Sequence, residues 1–302
     1  MTDLRAIGET TPSALALADA LRRRGAPRRT SVIRPPSLSA ASLLTSVRKL
    51  AQHRHLLWAL SVHRIKVRYK QSVLGILWAI LQPLSMMLIF TFLFSYVARM
   101  PSDGAPYALF AYTALLPWNF LSSAVSNSTT SLVSHSQFVT KVYFPREILP
   151  LSYVVASLFD FAVASTLLVG LLIHYRVPLT INALYAIPLM VVLSGATIGT
   201  AFLLAATNAR FRDIGVAVPM LLQLWLYASP VIYPLSVVPQ RFRTIYQLNP
   251  MVGVIENFRQ VILRGAPPDV QSFAISAAVS VLLLVCAYIY FKWMDATMAD
   301  FI

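Results

Sequence analysis

Six stretches of the chain run for twenty residues or more with almost no charge: about 74–98, 107–131, 148–173, 183–207, 214–233 and 273–292. Twenty apolar residues in a helix cross about 30 Å of hydrocarbon. A backbone inside lipid must satisfy its own hydrogen bonds, so each stretch is expected to be a helix. The pattern therefore predicts an all-α, polytopic membrane protein with a transmembrane domain over residues 74–302. The second stretch is the weakest, because its latter half carries Asn119, Ser122, Ser123, Ser126, Asn127, Ser128, Thr129 and Thr130. Such hydroxyls and amides need helix neighbours or water within a membrane. The fifth runs into Ser229-Pro230 and Tyr233-Pro234, where a helix must kink or stop.

The segments between the stretches have patterns of their own. Residues 1–50 are polar and contain Arg22-Arg23-Arg24, Arg28-Arg29, Pro27, Pro35 and Pro36. This composition predicts a flexible basic tail near anionic lipid. Over 53–71, Trp58, Val62, Ile65 and Tyr69 recur at helical spacing, flanked by Arg64, Lys66, Arg68 and Lys70. An apolar stripe between basic flanks predicts an amphipathic helix lying in the membrane interface. The segment 234–272 is too long and too apolar for a plain loop. After a break at Asn249-Pro250, one helical face carries Met251, Val254, Ile255, Phe258, Val261 and Ile262. That helix is too short to span, and is expected either to re-enter the membrane or to lie on its outer surface. Pro230, Tyr233, Asn249 and Pro250 are the candidate gate.

Composition agrees with the pattern. Of 302 residues, 57% are apolar and 12% charged, about half the roughly 25% charge of a soluble domain. A soluble enzyme is excluded on that ground. The net charge of +14 would suggest nucleic acid in a soluble chain. Here, however, the basic residues gather beside alternate ends of the apolar stretches. With the N-terminus inside, 19 of the 25 Lys and Arg fall on the cytoplasmic side and 6 outside. The positive-inside rule then places both termini in the cytoplasm, in a multi-pass inner-membrane protein with no nucleic-acid role. The single cysteine, Cys286, excludes an intrachain disulfide and a cysteine zinc cluster.

Candidate chemistry is sparse. No glycine is followed by lysine, so a phosphate-cradling Gly-Lys-Ser/Thr loop is absent and no ATP site of that kind exists. The five histidines lack metal-ligand spacing, and neither a catalytic nor a metal site is expected. Asp160, between Phe159 and Phe161, is the one carboxylate deep in a span. An ionised group there costs about 2.5–3.5 kcal/mol on insertion scales. The expectation is a structural role, hydrogen-bonded to polar groups of another span, with a water-filled path as the alternative. The inner loop 132–147 exposes Phe138, Val139, Val142, Tyr143 and Phe144 beside Lys141, Arg146 and Glu147. Apolar residues rimmed by charge mark a surface for a partner.

Four ordered motifs carry a family resemblance: Val67–Pro83 (VRYKQSVLGILWAILQP), Lys141–Pro150 (KVYFPREILP), Asn208–Asp213 (NARFRD), and Ser229–Pro234 (SPVIYP) followed by Leu248–Met251 (LNPM). Together they resemble ABC-2 type permeases that export polysaccharides, most closely the lipopolysaccharide O-antigen branch; capsule and teichoic-acid exporters share the motifs. The resemblance covers about residues 50–295. It implies a homodimer with two copies of a separate ATP-hydrolysing subunit, which holds the ATP and Mg²⁺, so that this chain is not itself an enzyme. It further implies a lipid-linked glycan as substrate, six spans, an N-terminal interface helix and re-entrant outer helices. By position, the loop touching the ATPase would be Ser134–Glu147, with Lys141, Phe144, Pro145, Arg146 and Glu147 as contacts. A transporter of small lipophilic compounds is the alternative. A glycosyltransferase would need carboxylates at a membrane face, and a proton-driven transporter several buried ionisable groups.

Overall fold

A computed structural model describes residues 40–70, 72–141, 144–295 and 298. The greater part of the basic tail, residues 1–39, lies outside the described residues, as do Val142 and Tyr143 of the inner loop. Every described element is helical, with no strand among the described residues. The helices are α1 (Ala40–Gln52), α2 (Arg54–Lys70), α3 (Trp78–Phe90), α4 (Tyr107–Ser134), α5 (Ser136–Lys141), α6 (Ile148–His174), α7 (Ala186–Arg210), α8 (Asp213–Tyr227), α9 (Gln240–Gln247), α10 (Pro250–Leu263) and α11 (Val270–Asp295). Because α1 starts at Ala40, the tail gives way to helix about ten residues before the expected boundary at residue 50.

Among the described residues, five segments are long and apolar enough to cross a membrane: Gly75–Val97, Tyr107–Ser134, Ile148–His174, Ile181–Arg210 and Val270–Asp295. The sixth expected span, 214–233, is shorter than its apolar run. α8 has 15 residues, about 22 Å at 1.5 Å per residue, and stops at Tyr227. Beyond it the chain turns, held by the Asn249 side chain, whose Nδ2 donates to the Ala228 carbonyl (3.1 Å) and to Ser229 Oγ (2.9 Å). Pro230 then offers no N–H to prolong a helix. The first span is continuous but not uniform. A 3₁₀ turn at Gly75–Leu77 leads into α3, and Thr91–Val97 continue as a π-helix. Its wide turns show in the bond from Ala98 N to the Leu93 carbonyl, 2.9 Å.

The least apolar span sits at the centre. α4 packs on α6, α7 and α10 and also meets α3 and α8. In its most apolar 18 residues 78% are buried, against 17% in the first span. Its polar residues explain why this is tolerable. Ser128 Oγ donates to the Pro150 carbonyl of α6 (2.9 Å), and Asn208 Nδ2 of α7 donates to the Thr129 carbonyl (3.0 Å).

Small residues allow α11 to lie close to two helices. A methyl built on Gly199 of α7 would stand 2.9 Å from Leu284 N, and one on Gly253 of α10 would stand 2.5 Å from the Ser272 carbonyl oxygen. Ser272, Ser276 and Ser280 form a buried stripe on α11 at four-residue spacing. This is the close approach of helices that small residues permit in membranes. α10 is buried against other helices along most of its length.

The helix ends collect at two poles. Around one are α2, the 134–147 segment, the turn at 210–213 and the end of α11. Around the other are 98–106, 175–185 and the α8–α11 hairpin, linked by the Tyr107 hydroxyl to the Ile232 carbonyl (2.7 Å), Asn182 to Gly265 (2.6 Å) and Arg264 to Asp103 (3.0 Å). We call them the basic pole and the hairpin pole.

Candidate functional site

A cleft with one polar wall and a larger apolar lining opens between α3, α4, α6 and α8, with a volume of about 940 Å³. Its polar wall is read directly from α4. Asn119, Ser122, Ser123, Ser126 and Asn127 fall at i, i+3, i+4, i+7 and i+8, which is one face of a helix, and all five line the cleft. Gln82, Gln223, Trp78 and Trp118 complete it. α4 thus carries two polar faces. Ser128, Thr129 and Ser131 are buried and hydrogen-bonded within the protein, whereas the cleft face keeps unused capacity. Asn119 Nδ2 and Ser157 Oγ are buried without a hydrogen-bond partner. Buried groups of this kind call for water or a polar ligand. The cleft can therefore present hydroxyl and amide groups, with the exposed Trp78 indole beside them, inside an otherwise apolar bundle.

Asp160 stands at the edge of this cleft. Its partners are not those expected from the sequence. Rather than pairing with another span, it forms an ion pair with Arg68 and accepts a hydrogen bond from the Tyr69 hydroxyl (2.6 Å), both from α2. Nearer the start of α6, Arg64 Nε donates to Ser152 Oγ (2.6 Å) and its guanidinium lies 3.5 Å from the Tyr153 ring centroid. Burial lowers the Arg64 pKa, partly opposed by Tyr153. Two of the four basic residues flanking the apolar stripe of α2 therefore face protein, because Leu57, Ser61, Arg64 and Arg68 share the face that packs on α6. Lys66 and Lys70 remain exposed, and Trp58 of the stripe is 66% exposed.

At the basic pole the inner-loop residues divide. Phe138 on α5 is 52% exposed. Lys141 ends α5, but its side chain lies outside the described residues. Pro145 is half-buried, and half-buried Phe144 packs against a cluster that includes Leu132, Phe202 and Phe291. Arg146 Nη1 donates to the Asp295 carbonyl oxygen (2.5 Å) and to Asp295 Oδ1 (3.1 Å). Glu147 is fully buried and ion-paired with Lys292. A carboxylate in that position presents nothing to an outside partner, so Glu147 does not serve as a surface contact in this conformation.

At the hairpin pole, the four candidate gate residues are drawn into one region. Asn249 caps α10 by accepting from Met251 N (3.0 Å), and Pro250 takes the first helical position, where no N–H is required. The same side-chain oxygen accepts from Trp225 Nε1 at 3.0 Å, while its amide holds the 228–229 turn beside Pro230. The Tyr233 hydroxyl donates to the Tyr227 carbonyl (2.8 Å) and lies 3.0 Å from the Tyr246 hydroxyl. Sequence reasoning missed the residue that ties this region to the core. Arg259 is buried, with its guanidinium 3.5 Å from the Phe110 ring centroid. It donates to the carbonyls of Val231 (2.8 Å) and Phe110 (3.3 Å) and to Glu256 (3.1 Å). The available signal was a charge four residues after Ile255 and three before Ile262, on the apolar face of α10 itself.

Comparison with known proteins gives this arrangement a family. The model of the ABC-2 type transporter family matches residues 55–263. The chain is 34% identical to the O-antigen export system permease protein RfbA of Myxococcus xanthus, across 83% of this chain and 96% of that protein. It is 31% identical to RfbA of Klebsiella pneumoniae, across 67% of this chain and 77% of that one. Likeness extends to the polysialic acid transport protein KpsM of Escherichia coli, 24% identical across 68% of this chain and 81% of the relative. With its motifs spread over the described bundle and the match spanning α2 to α10, this chain is a member of the ABC-2 type transporter family.

Proposed function

We propose that this chain is the membrane subunit of an ATP-driven exporter that moves a lipid-linked polysaccharide, of the O-antigen class, across the cytoplasmic membrane. The observation that carries the proposal is the cleft. A face of amides and hydroxyls beside the exposed Trp78 indole, within an apolar bundle, offers sugars hydrogen bonds and a stacking surface. A small lipophilic cargo would use only the apolar part of the lining, such as Met86, Ile89 and Leu115, and would leave the polar wall unpaired. The permeases named for O-antigen and polysialic acid among the relatives support the same class of cargo.

The chain acts as a homodimer with two copies of a separate ATP-hydrolysing subunit, and the ATP and Mg²⁺ belong to that subunit. The basic pole faces the cytoplasm, as the Lys and Arg distribution requires, and both termini lie there. α2 then rests at the cytoplasmic interface with Trp58, Lys66 and Lys70 toward lipid.

Deleting the gene and measuring both surface polysaccharide and extracted lipid-linked glycan tests the reading. Loss at the surface with accumulation of lipid-linked polymer inside is the expected result. Unchanged surface glycan without inner accumulation, in a strain with no second exporter, overturns it in favour of small-molecule efflux.

A further inference from the structure

The Phe144–Glu147 motif uses its side chains largely for contacts within this chain. Three of its residues, Phe144, Arg146 and Glu147, meet the end of the last helix. Phe144 packs against the cluster that holds Phe291 and Met294. Arg146 binds both the side chain and the backbone carbonyl of Asp295. Glu147 pairs with Lys292, whose ammonium also reaches Asp295 Oδ2 at 3.5 Å, and the Tyr288 hydroxyl donates to Glu147 Oε1 at 3.4 Å. Two opposite-charge pairs therefore bind one turn before α6 to the last two turns of α11.

Burial makes this more than a surface ion pair. The Glu147 side chain is 0% exposed and Lys292 is 11% exposed, and Glu147 Oε2 is buried with no hydrogen-bond partner. A buried pair of this kind adds little stability over apolar packing, but breaking one partner leaves an uncompensated charge. In this place the pair serves to fix the loop against α11. At its other end α11 is locked to α10 by the Gly253 contact with Ser272 and by Asn257, whose Nδ2 donates to Ser272 Oγ (2.8 Å). α10 carries Arg259, and its cap is Asn249; together they hold the 228–231 turn. A continuous set of close contacts thus joins the inner loop to the hairpin pole through α11.

We infer that Arg146 and Glu147 are positioning residues that latch the coupling loop to α11, so that displacement of the loop by the ATPase moves α11 and, through it, the α10 hairpin. The outward contact with the ATPase falls instead to α5, where Phe138 is exposed. This inference rests on the exporter reading above and assigns the inner-loop motif a transmitting role within it.

The test uses the permease co-expressed with its ATPase subunit. Arg146→Gln and Lys292→Gln should leave co-purification of the ATPase intact and ATP hydrolysis within about twofold of wild type, while surface glycan falls about tenfold or more. Exchanging the charges, Glu147→Lys with Lys292→Glu, should recover a substantial part of the export lost in Glu147→Lys or Lys292→Glu alone, and no recovery would overturn the pairing. Loss of the ATPase on purification would overturn the inference, since these residues would then hold the partner directly. Normal export at normal protein level would overturn it as well.

If the single variants fail to accumulate, a bridge replaces them. Arg146→Cys and Asp295→Cys are introduced into a Cys286→Ser background and joined by a short bifunctional thiol reagent. A latch that stays closed through the cycle leaves export intact after bridging. Arrest of export by the bridge, relieved by a cleavable form of the reagent, would show that the contact must open and would refute the latch. Wild-type export in the same strain tests the glycan reading separately, because the latch is judged only from the variants relative to wild type.

Discussion

The contact between α10 and α11 allows a prediction with its own control. A methyl at Gly253 would meet the Ser272 carbonyl oxygen at 2.5 Å and its carbon at 3.1 Å, and would also overlap Ser276 Oγ. The hydroxyl can rotate away, but the backbone carbonyl cannot, so the two helices must part along a seam that includes Asn257 and Ser276. Overpacking of this kind costs about 1–3 kcal/mol, and the severity of the overlap places Gly253→Ala near the upper limit. Replacing glycine by alanine inside a helix returns about 1 kcal/mol, leaving a net loss of about 2 kcal/mol. Gly199→Ala meets backbone atoms of Leu283 and Leu284 at 2.9–3.1 Å, a milder overlap, for a net loss of about 1 kcal/mol. Gly195 has no atom within 4 Å of the corresponding position, so Gly195→Ala should gain up to about 1 kcal/mol. Thermal unfolding of the purified protein in one detergent should therefore rank the chains Gly195→Ala, wild type, Gly199→Ala, Gly253→Ala in falling order. A Gly253→Ala midpoint equal to that of Gly195→Ala would refute the close-packing argument.

Arg259→Met should lower stability by about 3–5 kcal/mol, the usual cost of removing one partner from a buried pair, because Glu256 and the carbonyls of Phe110 and Val231 lose their donor; the yield of folded protein from detergent-solubilised membranes checks this. Asp160→Asn and Arg68→Gln, alone and combined, should show a coupling of about 1 kcal/mol in thermal stability, modest because Arg68 is one-third exposed. Zero coupling would mean that the pair does not fix α2 on α6. Asp269 accepts from Ser272 N at 2.9 Å at the start of α11, which holds its carboxyl below the ordinary range. A depressed carboxylate pKa contributes stability above the unfolded value and loses it as pH falls through the folded one. Asp269→Ala should thus cost about 1 kcal/mol near neutral pH, and its deficit relative to wild type should narrow below about pH 4.

Much of the bundle was legible because apolar length and helix are nearly the same statement inside a membrane. The order of importance was not. The stretch 107–131 looked weakest because its amides and hydroxyls count against insertion when summed along the chain. Their meaning lies in partners such as the Pro150 carbonyl and Asn208, which no local window contains. The end of α8 was misjudged for a similar reason, since the turn at Ala228 is held by Asn249, twenty-one residues away. The stripe on α2 was visible, yet the face that meets α6 is set by Ser152, Tyr153 and Asp160, so Arg64 and Arg68 turned inward. Arg259 stood in an apolar face and could have been found there; its carbonyl partners at 110 and 231 could not.

The central position of α4 also has a consequence for how the protein is made. Its best window has a mean hydropathy of only 1.3, whereas the four other long spans reach 2.0 to 2.3. A helix rich in Asn and Ser gains little by leaving the translocon for lipid on its own. The neighbours that satisfy it, α6 and α7, are synthesised after it. Membrane entry of α4 is therefore a joint event: the segment waits near the insertion machinery, or partitions with α3, until its later partners emerge. Defects in the Ser128–Pro150 or Asn208–Thr129 contacts would then appear during biogenesis, as chains cleared by quality control, before they appear as a loss of transport.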